Sequence, residues 1–491
     1  MNKRPAPGRR GACFVTGSIM RHVLVMAGTG AIGLMAVFAV DMLNMIYVAH
    51  LGQPALTAAL GFAGAVGGIQ IAVSIGLTIG RGACVGREIG GGQFYRARRI
   101  ASSFLFTNFV LTSLVGVLTA FFAKPILVLL GASGEALQQA ALYLYITSPF
   151  LPFVSMGMSA SALMRTVGDA RRSMNVTLSG AVLTAILDPV LILGMHEGLI
   201  GAAISAILSR LAMFLLGFRG AHLHAMLVWP KLAAVPSDSR RVGVIALPAI
   251  LTNLATPLGG AYVTEHMARF GLEAVSGQTA VERIVVVAFS FVFALTGAVG
   301  PIMSQNLGAG QFGRVREVME ASLKIVAGCV IGTWVILAIT QNLLVDGFRL
   351  HGDGAALVHL FCSWTVSGYL FVGMLFVANA AFNNLGHPLY STIFNWGRAT
   401  LGTIPFVAFG AKFGALGVQV GQALGSVIFG LLAIFTAFRV IAELAVSQDR
   451  SAAPAAGEER MADISTMSPG AAMAELAEIG EVEDAARNDS A

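Results

Sequence analysis

Twelve apolar runs, near 21–49, 55–80, 99–123, 136–160, 174–195, 198–219, 241–269, 274–300, 316–344, 354–383, 388–411 and 414–442, recur along nearly the whole chain. Each is long enough to cross a hydrocarbon layer about 30 Å thick. The runs are continuous and lack period-2 alternation, so they read as helices and not as the strands of an outer-membrane barrel. Only 11% of the 491 residues are charged, and the mean hydropathy is +0.78; a soluble domain carries about 25% charged residues. The expectation is an all-α polytopic membrane protein with twelve transmembrane helices. The basic start "MNKRPAPGRRG" precedes a full-length apolar run, which reads as a first span and not as a cleaved leader. Cys13, Cys84, Cys329 and Cys362 are far apart and form no CxxC or Cys/His cluster, so they read as isolated thiols without a disulfide or metal site.

Positive charge alternates with the spans. Lys3, Arg4, Arg9, Arg10 and Arg21 precede span 1; Arg87, Arg96, Arg98 and Arg99 follow span 2; Arg165, Arg171 and Arg172 follow span 4. Arg219, Lys231, Arg240 and Arg241 follow span 6, and Arg314 and Arg316 follow span 8. The opposite loops hold little beyond Lys124, Arg269, Arg349 and Lys412. Basic loops stay in the cytoplasm, which places both termini there.

The two halves repeat. "GREIGGGQFYRARR" (86–99) returns as "SQNLGAGQFGRVRE" (304–317) at a shift of 218. Six spans per half is an even number, so both halves enter from the same side. They form two six-helix lobes related by a pseudo-two-fold axis along the membrane normal, the plan of a carrier with a central cavity. The expected organisation is a basic N-terminus (1–20), an N-lobe (21–219), a linker (220–240), a C-lobe (241–442) and an acidic, unstructured tail (443–491). From Asp449 onward that tail holds ten acids against three arginines.

Four acids lie inside the apolar runs: Asp41, Asp188, Glu265 and Glu282. Each costs roughly 2.5–3.5 kcal/mol on insertion scales, and such residues usually face a cavity and serve a function. Asn44 shares a helix face with Asp41, and Thr184, one turn back, shares one with Asp188. Pro189 has no N–H, so it frees the carbonyl of Ala185 and allows a bend. Together these residues suggest a small polar pocket in the N-lobe, with a structural, non-titrating Asp as the alternative. Glu265 lies one turn from Arg269 and reads as a surface pair. Glu282 and Arg283 point about 100° apart on a helix, leaving ion pairing and a cavity role both open. At the repeat shift, Asp41 falls near Gly259–Gly260 and Asp188 near Ile404–Phe406, so the second half lacks both acids. Met26, Met35, Met42, Met45, Met156, Met158 and Met164, with Phe153 and Tyr143, could line an adaptable cavity or simply pack helices. If Asp41 and Asp188 approach one another, burial and like-charge repulsion favour shared protons.

The stretches "VDMLNMIYVAHLGQPALTAALGFA", "GLTIGRGACVGREIGGGQFYRARR", "SALMRTVGDARRSMNVTLSGAVLTAILDPVLILGMHEGLIGAA" and "GPIMSQNLGAGQFGRVR" resemble, in order and spacing, the MATE multidrug and toxin extrusion family, in the subgroup of the bacterial DNA-damage-inducible type. The likeness covers about residues 21–442. It implies twelve helices in two lobes and export driven by inward H⁺ or Na⁺, with the roles of the N-lobe cation site falling on Asp41 and Asp188. Thr184 stands where the family often has Asn, and Ala206 where it often has Thr; both changes weaken a full Na⁺ site. Thr256 and Phe371–Val372 stand near the places of C-lobe acids in other members, which argues against a C-lobe cation site and for H⁺ coupling.

The expected function is therefore export of lipophilic or cationic drugs or metabolites in exchange for H⁺, with Na⁺ at Asp41 and Asp188 second. A lipid or lipid-linked oligosaccharide flippase shares the two-lobe plan but would favour a cationic cavity, whereas this chain places its intramembrane charge as acids. An enzyme would need convergent His, Ser or metal groups, and His22, His50, His196 and His387 sit in loops or at helix ends. No cofactor and no nucleic-acid partner is expected, and the chain reads as a monomer.

Overall fold

The computed structural model describes residues 12–50, 53–195 and 197–466, and every regular element among them is helical. The N-lobe holds α1 (Ile19–His50), α2 (Pro54–Gly90), α3 (Phe94–Phe121), the short α4 (Ala123–Leu129), α5 (Gly134–Thr147), α6 (Leu151–Thr166), α7 (Ala170–Asp188) and α8 (Gly198–Leu223). The C-lobe holds α9 (Val235–Ala268), α10 (Leu272–Ala288), α11 (Ser290–Gly308), α12 (Phe312–Gly347), α13 (Gly352–Ser363), α14 (Tyr369–Leu385), α15 (Pro388–Ala399), α16 (Ile404–Gly410) and α17 (Gly414–Thr466).

Several spans are assembled from two helices. A 3-10 turn at Ser148–Phe150, which contains Pro149 and is followed by Pro152, splits span 4 into α5 and α6; neither proline can donate a helical hydrogen bond. Span 8 is α10 and α11, bent by 47°. The apolar helical stretch from Pro388 to Val446 is too long for one crossing. The chain reverses at Gly414 (φ +85°), and Gly417, Gly421 and Gly425 of α17 lie against the backbone of Gly410, Phe406 and Gly402. Those small residues let two antiparallel spans touch through their backbones, and twelve spans result.

The repeated "GxGQF" loops have one structural cause. Gly92 and Gly310 occupy the left-handed region at φ +73° and +71°, where a side chain is strained. They close α2 and α11 with matching bonds: Gln93 N–H to the Glu88 carbonyl (2.8 Å) and Gln311 N–H to the Asn306 carbonyl (2.9 Å). Gly90 lies on the Gln305 backbone, Gly308 lies on the Arg87 backbone, and Gly86 meets its own repeat mate, Ser304. Such exchange is the mark of a two-fold axis running between α2 and α11.

The lobes close on each other at the end carrying the basic loops. Gly76 packs on Ile250, Gly80 on Ala246, and a Cβ added at Gly30 would stand 3.3 Å from that of Ala294. Ion pairs Glu88–Arg241 (2.7 Å) and Arg99–Asp238 (2.9 Å) tie α2 and α3 to α9. Residues 13–17 add a strap there: buried Phe14 takes a bond from its N–H to Gln305 (3.0 Å), and Arg314 donates to the carbonyls of Phe14 and Gly17, both at 3.1 Å. Toward the other end of α2, Gly61, Gly64, Gly67 and Gly68 have nothing within 4 Å of where a Cβ would stand.

Two expectations need correction. Because of this interleaving, contacts do not divide the chain at the linker: Met1–Ala437 is one unit, and Phe438–Ala491 the other. In the second unit α17 continues to Thr466, so the start of the acidic extension is helical and not unstructured; its alanine- and glutamate-rich sequence has high helix propensity. The expectations for residues 1–11, for His196 and for the tail beyond 466 lie outside the described residues.

Candidate functional site in the N-lobe

Asp188 is the last residue of α7, and from Pro189 to Gly194 the chain runs as a π-helical turn. Such turns form where the α-helical bonding pattern is interrupted, and the missing N–H of Pro189 interrupts it here. Asp188 is fully buried. Asn44 of α1 donates from Nδ2 to its Oδ2 at 2.7 Å, while Oδ1 has no hydrogen-bond partner. Ser205 of α8 stands beside the carboxylate, and its own hydroxyl is buried and unpartnered. A buried carboxylate with one satisfied and one free oxygen is a ready proton acceptor.

Asp41 is exposed and lies within electrostatic range of both Asp188 and Arg283. Arg283 belongs to α10 in the C-lobe and reaches Met45 of α1, with Nη2 3.1 Å from Sδ. Asp41 therefore faces the boundary between the lobes and not lipid. Tyr143 of α5 senses both acids and Arg210 of α8, and Arg210 donates to the Thr147 carbonyl at 2.6 Å.

Asp41, Asn44 and Asp188 thus share one region, as the residues suggested. Thr184 does not join them: its hydroxyl bonds the Gly180 carbonyl (3.0 Å) and Ser209 (2.6 Å), so it fastens α7 to α8. Ser205, next to the Ala206 that seemed to remove a ligand, supplies the hydroxyl instead. Helix-face arguments from one helix cannot see a donor on another. The methionines divide: Met26 and Met164 are core, while Met35, Met42 and Met45 are exposed, and Phe153 stacks edge-on against Phe214.

In the C-lobe, Glu265 pairs with Arg269 at 2.9 Å on the surface. Glu282 accepts from Gln278 at 3.2 Å, and no ion pair with the adjacent Arg283 occurs among the described residues. Arg398 of α15 donates to Thr256 at 3.1 Å. A guanidinium held beside Thr256 disfavours a cation at that place.

The main omission concerns arginines. Arg81 lies on α2, which runs past the expected end at residue 80, and Arg165 lies on α6 rather than in a loop. With Arg210 and Arg398 they put several guanidinium groups inside the spans, contrary to the expectation that intramembrane charge is acidic. Their signal was present: arginine in or just beyond an apolar run is as costly as an acid.

Outside the membrane, Asp169 caps α7, accepting from the Arg172 backbone N–H at 3.1 Å. His224 lies 2.9 Å away and the Arg172 guanidinium 2.8 Å away. Burial opposes its ionisation, but the Arg172 N–H, the His224 ring and the Arg172 charge outweigh it and hold its carboxyl below the usual range.

The MatE family model matches residues 31–190 and 248–409. The chain is 28% identical over 441 residues to a FAD transporter of Shewanella oneidensis, covering 87% of this chain and 96% of that protein. It is 21% identical over 440 residues to the multidrug export protein MepA of Staphylococcus haemolyticus, covering 89% of this chain and 97% of that one. Its fold is similar to that of the Vibrio cholerae MATE transporter VcmN in the bent form, with TM-score 0.82 at 20% identity over 87% of this chain and 98% of the other.

Proposed function

This chain belongs to the MatE family, whose members are transporters and not enzymes, and on that premise we propose that it exports an organic drug or metabolite across the bacterial cytoplasmic membrane in exchange for H⁺. The observation that carries the coupling ion is the buried Asp188 with one oxygen bound by Asn44 and the other free. A proton needs only one lone pair, whereas Na⁺ takes a shell of several oxygens; with Thr184 turned to Ser209, that shell is thin.

With the basic loops in the cytoplasm, the closed end of the cleft is cytoplasmic and the end near Asp41 opens outward. Asp41, being exposed, receives protons from outside and shares them with Asp188. Protonation removes charge from the pocket, lets α1 and the π-helical turn repack, and favours release of cargo outward. Deprotonation toward the cytoplasm restores affinity. The membrane potential adds about 2.3 kcal/mol per charge per 100 mV to the inward proton step.

The cargo class is open to two readings. The likeness to MepA supports lipophilic drugs, and the likeness to a FAD transporter supports a dinucleotide metabolite. Everted vesicles given a pH gradient or a Na⁺ gradient test the coupling. The pH gradient alone is expected to drive efflux, and Asp41→Asn or Asp188→Asn to reduce it to background while leaving the protein in the membrane. Full activity in both variants overturns the reading.

A further inference from the structure

Two arginines buried at the packing seam between the lobes have no counter-charge among the described residues. Arg81 is 1% exposed, and none of its three guanidinium nitrogens has a hydrogen-bond partner. The charge of Arg165 acts on it. Arg165 donates from Nη1 only to the neutral hydroxyls of Ser161 (3.3 Å) and Ser173 (2.8 Å). Among the described residues neither arginine enters an ion pair with a carboxylate.

A buried guanidinium with nothing to bond is costly, and a second cation beside it raises the cost. What the pair lacks is an anion carrying several acceptor oxygens. A phosphate supplies three oxygens and up to two charges, and matches the planar donor fork of arginine. The position adds the second half of the argument. Gly80, next to Arg81, packs on Ala246 of α9, and Gly297 of α11 stands 3.6 Å from Arg165 Nε at the point where a Cβ would project. Both arginines therefore sit at the seam between lobes, the surface that must part when the cleft opens toward the basic loops. By the repeat, Arg81 corresponds to Val299 and Arg165 to Asn383, so the two charges belong to the N-lobe alone.

We propose that Arg81 and Arg165 form an anion site that takes the phosphate of a phosphorylated organic solute when the floor of the cleft opens to the cytoplasm, which makes such solutes cargo. This rests on reading the cleft as the transport path of an H⁺-coupled exporter.

FMN and riboflavin differ by one phosphate, so their uptake into everted vesicles isolates its contribution. Wild-type vesicles under a pH gradient are expected to accumulate FMN in preference to riboflavin. Arg81→Gln and Arg165→Gln should lower FMN flux by about 10- to 100-fold, the range for losing a charge-assisted hydrogen bond, with Arg81→Lys retaining part of it. Protein amount and monodispersity in detergent establish that each variant is folded. FMN counterflow without a gradient separates the two proposals. Arg81→Gln should lose it, whereas Asp188→Asn should lose only gradient-driven uptake. Wild-type vesicles that favour riboflavin or make no distinction overturn the anion site, as does unchanged FMN flux in both glutamine variants. Inorganic phosphate that blocks counterflow as well as unlabelled FMN at equal concentration overturns the organic cargo. Gradient-driven FMN uptake that survives in Asp188→Asn overturns the coupling reading alone.

Discussion

At the scale of the residue, the N-lobe pocket is governed by what each oxygen of Asp188 finds. Its bond from Asn44 (2.7 Å) crosses from α1 to α7, so Asn44→Leu removes that donor and leaves the buried carboxylate with only the Ser205 hydroxyl beside it. The expected cost is about 1–3 kcal/mol, read as a lower unfolding temperature in detergent; an unchanged value would show that the bond is energetically idle. Asp169 gives a separate test outside the membrane. Its carboxyl is held below its ordinary range in the folded state by Arg172 and His224 against the opposing effect of burial. Its contribution is therefore present above the unfolded-state value, near 4, and is lost as pH falls through the lower folded value. Asp169→Ala should cost about 1 kcal/mol as a lost cap at neutral pH, and the wild-type advantage should shrink as unfolding is followed into acid.

At the scale of the element, the decisive features are helix ends and breaks. α2 and α11 end in the same turn because Gly92 and Gly310 stand at the same place in the repeat, with φ near +70° in both. Gly310→Ala forces a Cβ into the left-handed region at a cost of roughly 1–2 kcal/mol, although no neighbouring atom would be struck at its mate Gly92. The loss should appear as reduced thermal stability with transport retained. Span positions were legible from hydrophobic length, but helix ends were not. An apolar run marks where lipid or core contacts a helix, whereas the helix persists as long as its backbone bonds do. That is why α2 reaches Gly90 and carries Arg81 into the packed interior. The break at Asp188–Pro189 was legible as a bend, since proline lacks a donor, but its π-helical form was not.

At the scale of the whole molecule, the two lobes are locked at the basic end by glycine-to-backbone contacts, ion pairs and the Phe14 strap, and are looser beyond. A Cβ added at Gly30 would stand 3.3 Å from the Ala294 Cβ across this seam, close to the Cβ spacing of a disulfide. With the four native cysteines replaced, Gly30→Cys with Ala294→Cys should crosslink on oxidation and halt efflux, and a reductant should restore it. Efflux unaffected by complete crosslinking would mean that the seam does not part during turnover.

By itself the sequence determined the class of the protein, its twelve spans and the internal repeat, and it singled out Asp41 and Asp188 as the acids of the N-lobe. Those features depend on chain-local quantities: hydrophobic length, the rarity of charge in apolar runs, and a shift that superposes two loops. Only the tertiary structure decided which groups meet. Ser205 replaced Thr184 at the carboxylate, Arg398 came to Thr256, and Arg81 was left with Arg165 and no acid. These outcomes depend on the rotation and depth of one helix against another, which side-chain packing sets and no single stretch of chain encodes.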